Sequence, residues 1–203
     1  ILLYNKINDK AMNNMTEIII GAGASGLACA IRLKQNMPND EVILLERLDT
    51  LGKKILATGN GRCNLSNEHA KHYKEVINFF NNIGLKTKSD SEGRIYPYSN
   101  QAATVRDMLE KECIRLNVQI ITDCTVKSVD RDLIVSTDCG MFYADSVIIA
   151  AGGMAQSSLG SNGSGYEILK NLGHRITPLS PALVQLVSSS KYPRQLKGQR
   201  VKG

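Results

Sequence analysis

The strongest constraint in this chain is a glycine spacing. Gly21-Ala22-Gly23-Ala24-Ser25-Gly26 stands directly after the β-branched run Thr16–Ile20 and directly before a segment with helical apolar spacing. A strand that turns at once into a helix needs backbone freedom at the turn, which Gly21 supplies. A helix packed hard against its own strand needs no side chain at the contact, which Gly26 supplies. Gly23, between them, leaves the backbone open to close approach by a ligand. Residues 25–35 carry Leu27, Ala30, Ile31 and Lys34 at helical spacing, Pro38-Asn39-Asp40 breaks the chain, and residues 41–46 read as a buried second strand ending on Glu46. The helix N-terminus offers unpaired N–H groups and the positive end of the macrodipole, which suit phosphate. Glu46, 20 residues beyond Gly26, is placed to accept hydrogen bonds from ribose hydroxyls. Strand, turn, helix, strand and acid agree on a dinucleotide, where a structural glycine turn would explain only the turn.

The rest of the chain bounds the setting. At 203 residues, one domain or slightly more is expected, and the net charge of +6 is spread along the chain with only 5% aromatic residues, so a nucleic-acid surface is not expected. Cys29, Cys63, Cys113, Cys124 and Cys139 are odd in number and lack C-x-x-C spacing, which supports neither a disulfide framework nor a zinc site and fits a reducing, cytoplasmic compartment. Apolar runs are strand-length, too short to span a membrane. Residues 1–13 read as a disordered leader, and the absence of an initiating Met together with an end in apparent mid-strand reads as a fragment.

Beyond Glu46, residues 47–67 are rich in Gly, Asn, Lys and Thr and read as a structured loop. Helices are expected over 73–83, over 101–116 with Ser99 as N-cap, and over 166–172; short strands are expected over 118–122, 125–129, 133–137, 141–143 and 146–150. The brief turns between those strands imply an antiparallel meander, not further βαβ units. A polar glycine-rich loop and a meander, where a nicotinamide dehydrogenase would continue with helix and parallel strand, favour FAD, whose pyrophosphate, ribityl chain and ring need close backbone along their length. The fold class expected is α/β: a Rossmann-like FAD-binding domain with a parallel sheet and an antiparallel β-meander, incomplete at its C-terminus.

Residues 52–67, GKKILATGNGRCNLSN, resemble the signature of the bacterial NAD(P)/FAD-dependent oxidoreductase family of aminoacetone-oxidase-like and bile-acid-dehydroxylation-associated flavoproteins. Gly93-Arg94-Ile95-Tyr96-Pro97 with Ser99, Ala150-Ala151-Gly152-Gly153, residues 163–166, Gly173-His174 and Pro181-Ala182-Leu183-Val184 extend the likeness over nearly the whole chain, residues 58–64 being its most specific part. The resemblance implies a two-dinucleotide-binding-domain flavoprotein of which this is the N-terminal half, with 14–182 as the first portion of the FAD-binding domain and 183–203 opening an inserted β-rich domain.

It also implies roles. Gly21, Gly23, Ala24, Ser25 and Gly26 form the pyrophosphate turn, Glu46 anchors the ribose with Arg47 beside it, and Lys53 or Lys54 offsets phosphate charge. Thr58, Asn60, Gly61, Arg62, Cys63 and Asn64 lie along the ribityl chain and flavin ring, with Arg62 and Asn64 as donors to the ring. Val126 meets the adenine through its backbone, and Ala151, Gly152 and Gly153 let the sheet end approach the cofactor. The activity implied is flavin-mediated hydride transfer with a small organic substrate, with NAD(P)H as a transient reductant. The alternatives are a truncated non-catalytic FAD-binding module and an NAD(P)-dependent dehydrogenase. No catalytic acid or base is identifiable, no metal site is expected, and Cys63 lacks a neighbouring cysteine for disulfide-reductase chemistry. Three positions depart from the family pattern: Ala151 stands where threonine is usual, Gln156-Ser157-Ser158 where a Tyr-Pro pair is usual, and Asn162-Gly163-Ser164-Gly165 where Thr-Gly-Asp-Gly is usual.

Overall fold

The computed structural model describes residues 2–5, 14–181 and 189–190. The described chain runs β1 (Leu2–Asn5), β2 (Thr16–Ile20), α1 (Ala24–Asn36), β3 (Glu41–Leu45), α2 (Lys53–Ala57), β4 (Ser66–Asn67), α3 (Tyr73–Asn82), β5 (Thr87–Ser89), β6 (Arg94–Pro97) and α4 (Ala102–Arg115). It continues through β7 (Gln119–Ile121), β8 (Val126–Val129), β9 (Ile134–Thr137), β10 (Met141–Tyr143), β11 (Ser146–Ile149) and α5 (Ser164–Asn171).

The central sheet has the order β1-β11-β2-β3-β7, with β11, β2, β3 and β7 parallel and β1 antiparallel at the edge. Side chains alternate between the faces of a strand, so a strand covered on both sides reads as a continuous apolar run. Ile19, Leu44 and Ile148 face one layer, where Leu27, Ala30 and Ile31 of α1 and Val105 and Leu109 of α4 bury against them. Ile18, Ile20, Ile43, Leu45, Val147 and Ile149 face the other, packed against Val129 and Val135 of the meander and Ile168 of α5. Lys34 ends the buried stripe of α1; its Nζ donates to the Pro38 and Asp40 carbonyls at 2.7 and 2.8 Å, satisfying a charge that is only 9% exposed.

Both sheet types follow the sequence reading, and several local readings are corrected. The antiparallel meander is limited to β8, β9 and β10. The runs at 118–122 and 146–150 join the parallel sheet as β7 and β11, because the apolar stripe of α4 makes that helix a crossover that returns the chain beside β3. Residues 47–67 are not all loop: they hold α2, a 3₁₀ turn over residues 58–61, and β4, which pairs with β6. Ser99 does not cap α4; the N-cap is Gln101, and the Ser99 hydroxyl donates to Thr104 Oγ1 at 2.9 Å. Within the segment read as a leader, Leu2–Asn5 pairs in register with β11, from Leu2 opposite Ile149 to Asn5 opposite Ser146. Cys124 and Cys139 are joined in a disulfide, which the odd cysteine count and absent motif had argued against, because the two residues lie far apart in sequence and only the β8–β9 hairpin brings them together. Residues 183–188 and 191–203, where the inserted domain was expected to open, lie outside the described residues. Among the described residues no helix is long and apolar enough to cross a membrane.

Candidate functional site

A cleft of about 460 Å³ opens over the carboxyl ends of β2 and β3, where ligands bind in open α/β sheets. The glycine turn forms its floor. Gly21 has φ +103°, and a β-carbon there would sit 2.7 Å from the Ala150 carbonyl oxygen; one on Gly26 would sit 1.9 Å from that of Gly21. The two glycines are therefore required by packing alone. Gly23 differs: its backbone is extended at φ −75°, and a β-carbon would meet nothing within 4 Å. That open space lies against the N-terminus of α1, where no side chain caps the helix and where Ala24 and Ser25 are exposed. The first N–H groups of a helix have no intrahelical acceptors, so the turn presents backbone donors to the cleft. Those features fit a pyrophosphate.

Glu46 closes the end of β3. Its Oε2 accepts the Ala22 N–H at 2.8 Å and its Oε1 accepts the Leu48 N–H at 2.9 Å, which fixes the carboxylate and leaves one lone pair on each oxygen for a further donor. Cationic side chains flank it. Arg47 Nη2 donates to the Gly160 carbonyl at 3.2 Å, and Lys54 Nζ donates to the Ala155 carbonyl at 3.3 Å and to the Ser161 hydroxyl. Gly152, at φ +77°, leaves room for Ser161, whose hydroxyl would lie 2.7 Å from any β-carbon at 152. Neither Arg47 nor Lys54 has a carboxylate within ion-pair distance among the described residues.

Of the site residues read from sequence, Gly21, Gly23, Ala24, Ser25, Glu46, Arg47, Lys53, Lys54, Thr58, Cys63, Asn64, Val126, Ala151 and Gly152 line this one cleft. Gly26, Asn60, Gly61, Arg62 and Gly153 do not. Gly26 serves helix packing, and a β-carbon on Gly153 would face the Tyr166 hydroxyl at 3.3 Å. Asn60 and Gly61 hold the left-handed turn of residues 58–61, at φ 54° and 81°. Arg62 places its guanidinium carbon 4.5 Å from the centroid of the buried Tyr96 ring, with Nη2 3.5 Å from the Tyr96 hydroxyl. The aromatic face under Arg62 comes from β6, a strand whose pairing the local sequence does not reveal.

Cys63 lines the cleft, but burial pushes its thiol up from the usual cysteine range, with a hydrogen bond to Thr58 acting against that shift. It is held as a neutral thiol, not a nucleophile. The sequence reading missed Leu159, Gly160 and Ser161, which form the far wall, and Cys124 and Thr125, which precede Val126. The clue for the first group was the run of serine and glycine after Gly153, too common in loops to be specific. A single group of three possible metal ligands occurs among the described residues, Cys124, Asp138 and Cys139, and its two sulfurs are bonded to each other.

The parallel sheet, uncapped glycine turn, carboxylate anchor and polar loop along one continuous cleft are those of a dinucleotide-binding Rossmann domain. The chain belongs to the HI0933-like family: the family's Rossmann domain matches residues 15–74 and 70–190. It is 43% identical over 190 residues to a 3-dehydro-bile acid delta(4,6)-reductase of Clostridium scindens, covering 83% of this chain and 46% of that protein. It is 27% identical over 195 residues to the ribosomal RNA dihydrouridine synthase of Escherichia coli, covering 85% of this chain and 48% of that protein. Glycine oxidase from Geobacillus kaustophilus superimposes with a TM-score of 0.42 at 14% identity, covering 70% of this chain and 57% of that one. The chain thus spans about half the length of the curated relatives it matches.

Proposed function

We propose that the intact protein is an FAD-dependent oxidoreductase that delivers a hydride to an electron-poor alkene in a small organic substrate and is re-reduced by a nicotinamide. The observation that carries this reading is the continuity of the cleft, from the open face of Gly23 past Glu46 to Asn64 and back to Gly152. That path has open space beside Gly23 at one end and a polar, left-handed turn at the other. The reductive direction is taken over from the name of the Clostridium scindens relative. FAD, when bound, supplies the hydride-carrying ring.

The residues of this chain do the holding. The first turn of α1 receives the pyrophosphate on its N–H groups, with Gly23 keeping the approach clear. Glu46 accepts from the adenosine ribose through its free lone pairs, and Val126 borders the adenine. Lys53, Lys54 and Arg47 balance phosphate charge from the rim. Thr58, Cys63 and Asn64 border the ribityl end, where Asn64 directs an amide at the ring; Arg62 acts at one remove, by bracing the 58–64 turn against Tyr96. Ala151 and Gly152 close the sheet end. We also assign residues 14–182 to the first part of the FAD-binding domain, with an inserted domain opening at 183, and place the protein in the cytoplasm.

The test is anaerobic reduction of the full-length flavoprotein by NADH or NADPH, followed by addition of a conjugated steroid enone or, separately, of uridine-containing RNA. Reoxidation by the enone with uptake of two hydrogens supports the proposal. Reoxidation by RNA alone, or by neither acceptor, contradicts it.

A further inference from the structure

The Cys124–Cys139 disulfide has no part in the chemistry above, yet it stands at the wall of the cleft. Cys124 is 1% exposed and packs with the apolar face of the sheet, while Cys139 is exposed in the turn between β9 and β10; their Cα atoms are 5.6 Å apart. The same two turns are tied by the Thr125 N–H donating to Asp138 Oδ1 at 2.7 Å and by the Asp138 N–H donating to the Thr125 carbonyl at 3.1 Å. On its other side, Cys124 donates its N–H to the backbone carbonyl of Glu46 at 3.0 Å, and Cys124, Thr125 and Val126 all line the cleft. The bond therefore braces the segment that walls the cleft beside the carboxylate anchor.

The remaining cysteines make this pair selective. Cys63 and Cys113 are buried and Cys29 is half-buried. Burial pushes all three thiols up, that of Cys113 to about 12. Thiols held neutral in apolar surroundings exchange slowly, whereas Cys139 is an exposed residue, its Sγ 3.2 Å from Thr137 Oγ1.

We propose that Cys124 and Cys139 form a thiol–disulfide switch that sets how firmly the adenosine end of the cleft holds its dinucleotide. The proposal rests on the dinucleotide reading of the cleft. Opening requires a low-molecular-weight thiol such as glutathione. Its thiolate attacks the sulfur of Cys139, the more exposed residue of the pair, the Sγ–Sγ bond breaks, and Cys124 leaves as a thiolate that takes up a proton. A second thiol then attacks the mixed disulfide and frees Cys139. Two thiols are oxidised to one small disulfide, and the protein pair gains two electrons and two protons; the reverse exchange closes it. Without the bond, the two Thr125–Asp138 hydrogen bonds and the β8–β9 pairing that begins at Val126 opposite Thr137 still join the turns, but the Cys124–Val126 wall gains conformational freedom that ligand binding must remove.

The experiment equilibrates full-length protein in glutathione buffers from oxidising to reducing, traps and maps the thiols, and titrates the apo-protein with FAD by flavin fluorescence in each state. Cys139→Ser, at an exposed position, is the reference. The expected result is a 124–139 linked peptide in oxidising buffer with Cys29, Cys63 and Cys113 free. FAD affinity should fall roughly three- to tenfold on reduction, and C139S should bind like the reduced protein at every poise. Equal affinity in the two states, a pair that stays reduced in every buffer, or a redox response that persists in C139S overturns the switch while leaving the FAD reading intact. FAD binding in neither state overturns both.

Discussion

Gly23→Ala separates the cofactor reading from ordinary packing, because it should cost binding while leaving stability nearly unchanged. Gly23 has φ −75° and ψ −174°, a conformation alanine adopts without strain, and the new methyl would touch nothing within 4 Å. Replacing glycine there restricts the unfolded chain by about 0.4–1 kcal/mol, which offsets the poorer standing of alanine at a helix N-cap, so Tm should stay within about 2 °C of the wild type. The same methyl occupies the space over the N-terminus of α1 that a pyrophosphate must enter. Pushing the phosphates out of reach of two helix N–H donors removes two charge-assisted hydrogen bonds of about 1.5–3 kcal/mol each, so affinity for FAD should fall by about 100-fold or more. Differential scanning fluorimetry on the apo-protein and flavin titration together read both quantities. A G23A protein that binds FAD as tightly as the wild type, or one that is clearly destabilised, would refute the reasoning. Gly26→Ala is the counterpart: its β-carbon would lie 1.9 Å from the Gly21 carbonyl oxygen, so overpacking of about 1–3 kcal/mol outweighs a helix-propensity gain of up to about 1 kcal/mol, and Tm should drop by several degrees along with affinity.

Further outcomes follow from individual contacts. Glu46→Gln sets an amide donor against one of the N–H groups of Ala22 and Leu48, which should destabilise by about 1–3 kcal/mol and weaken FAD binding about tenfold; unchanged melting would show that the carboxylate does not hold the turn. Arg62→Leu should lower Tm by about 1–4 °C through loss of the stack on Tyr96, yet leave FAD affinity within about threefold, and a collapse of affinity would mean that the guanidinium serves the cofactor directly. Burial, with the charge of Asp40 second, raises the Glu17 carboxyl above its usual 4.5. The folded state therefore keeps a proton that the unfolded chain releases: the stability tied to this group is full below about pH 4.5 and is lost as pH rises through the raised folded value. Its Oε2 and the Ser146 hydroxyl opposite it lack hydrogen-bond partners among the described residues. The difference in urea-unfolding free energy between wild type and Glu17→Gln should favour the variant increasingly as pH rises from 4 to 8; a flat difference would contradict the raised value.

The nucleotide end was legible because its constraints are local. Gly21, Gly26 and Glu46 sit at fixed offsets from two apolar strands, and the contacts of Gly26 with Gly21 and of Glu46 with Ala22 lie within those same offsets, although Gly21 itself packs against distant Ala150. Parallel strands were harder: the run ending at Ile121 looks like part of a meander until the stripe of Val105 and Leu109 is seen to dock α4 on the sheet and carry the chain back to β3. The stack of Arg62 on Tyr96 was hidden for a related reason, since Tyr96 reaches it from a strand 34 residues on, and nothing near Arg62 in sequence announces that face. The disulfide was invisible because cysteine spacing speaks only for local motifs, and Cys124 and Cys139 meet across a hairpin 15 residues long.

The account stands most directly on the identity of the bound small molecule. The full-length protein should be purified without added cofactor, its visible absorbance recorded, and the compound released on denaturation identified by mass. The prediction is a yellow protein that releases FAD in equimolar amount, and that rebinds FAD after stripping. A colourless protein that takes up no FAD, or one that binds NAD(P) in its place, would contradict it.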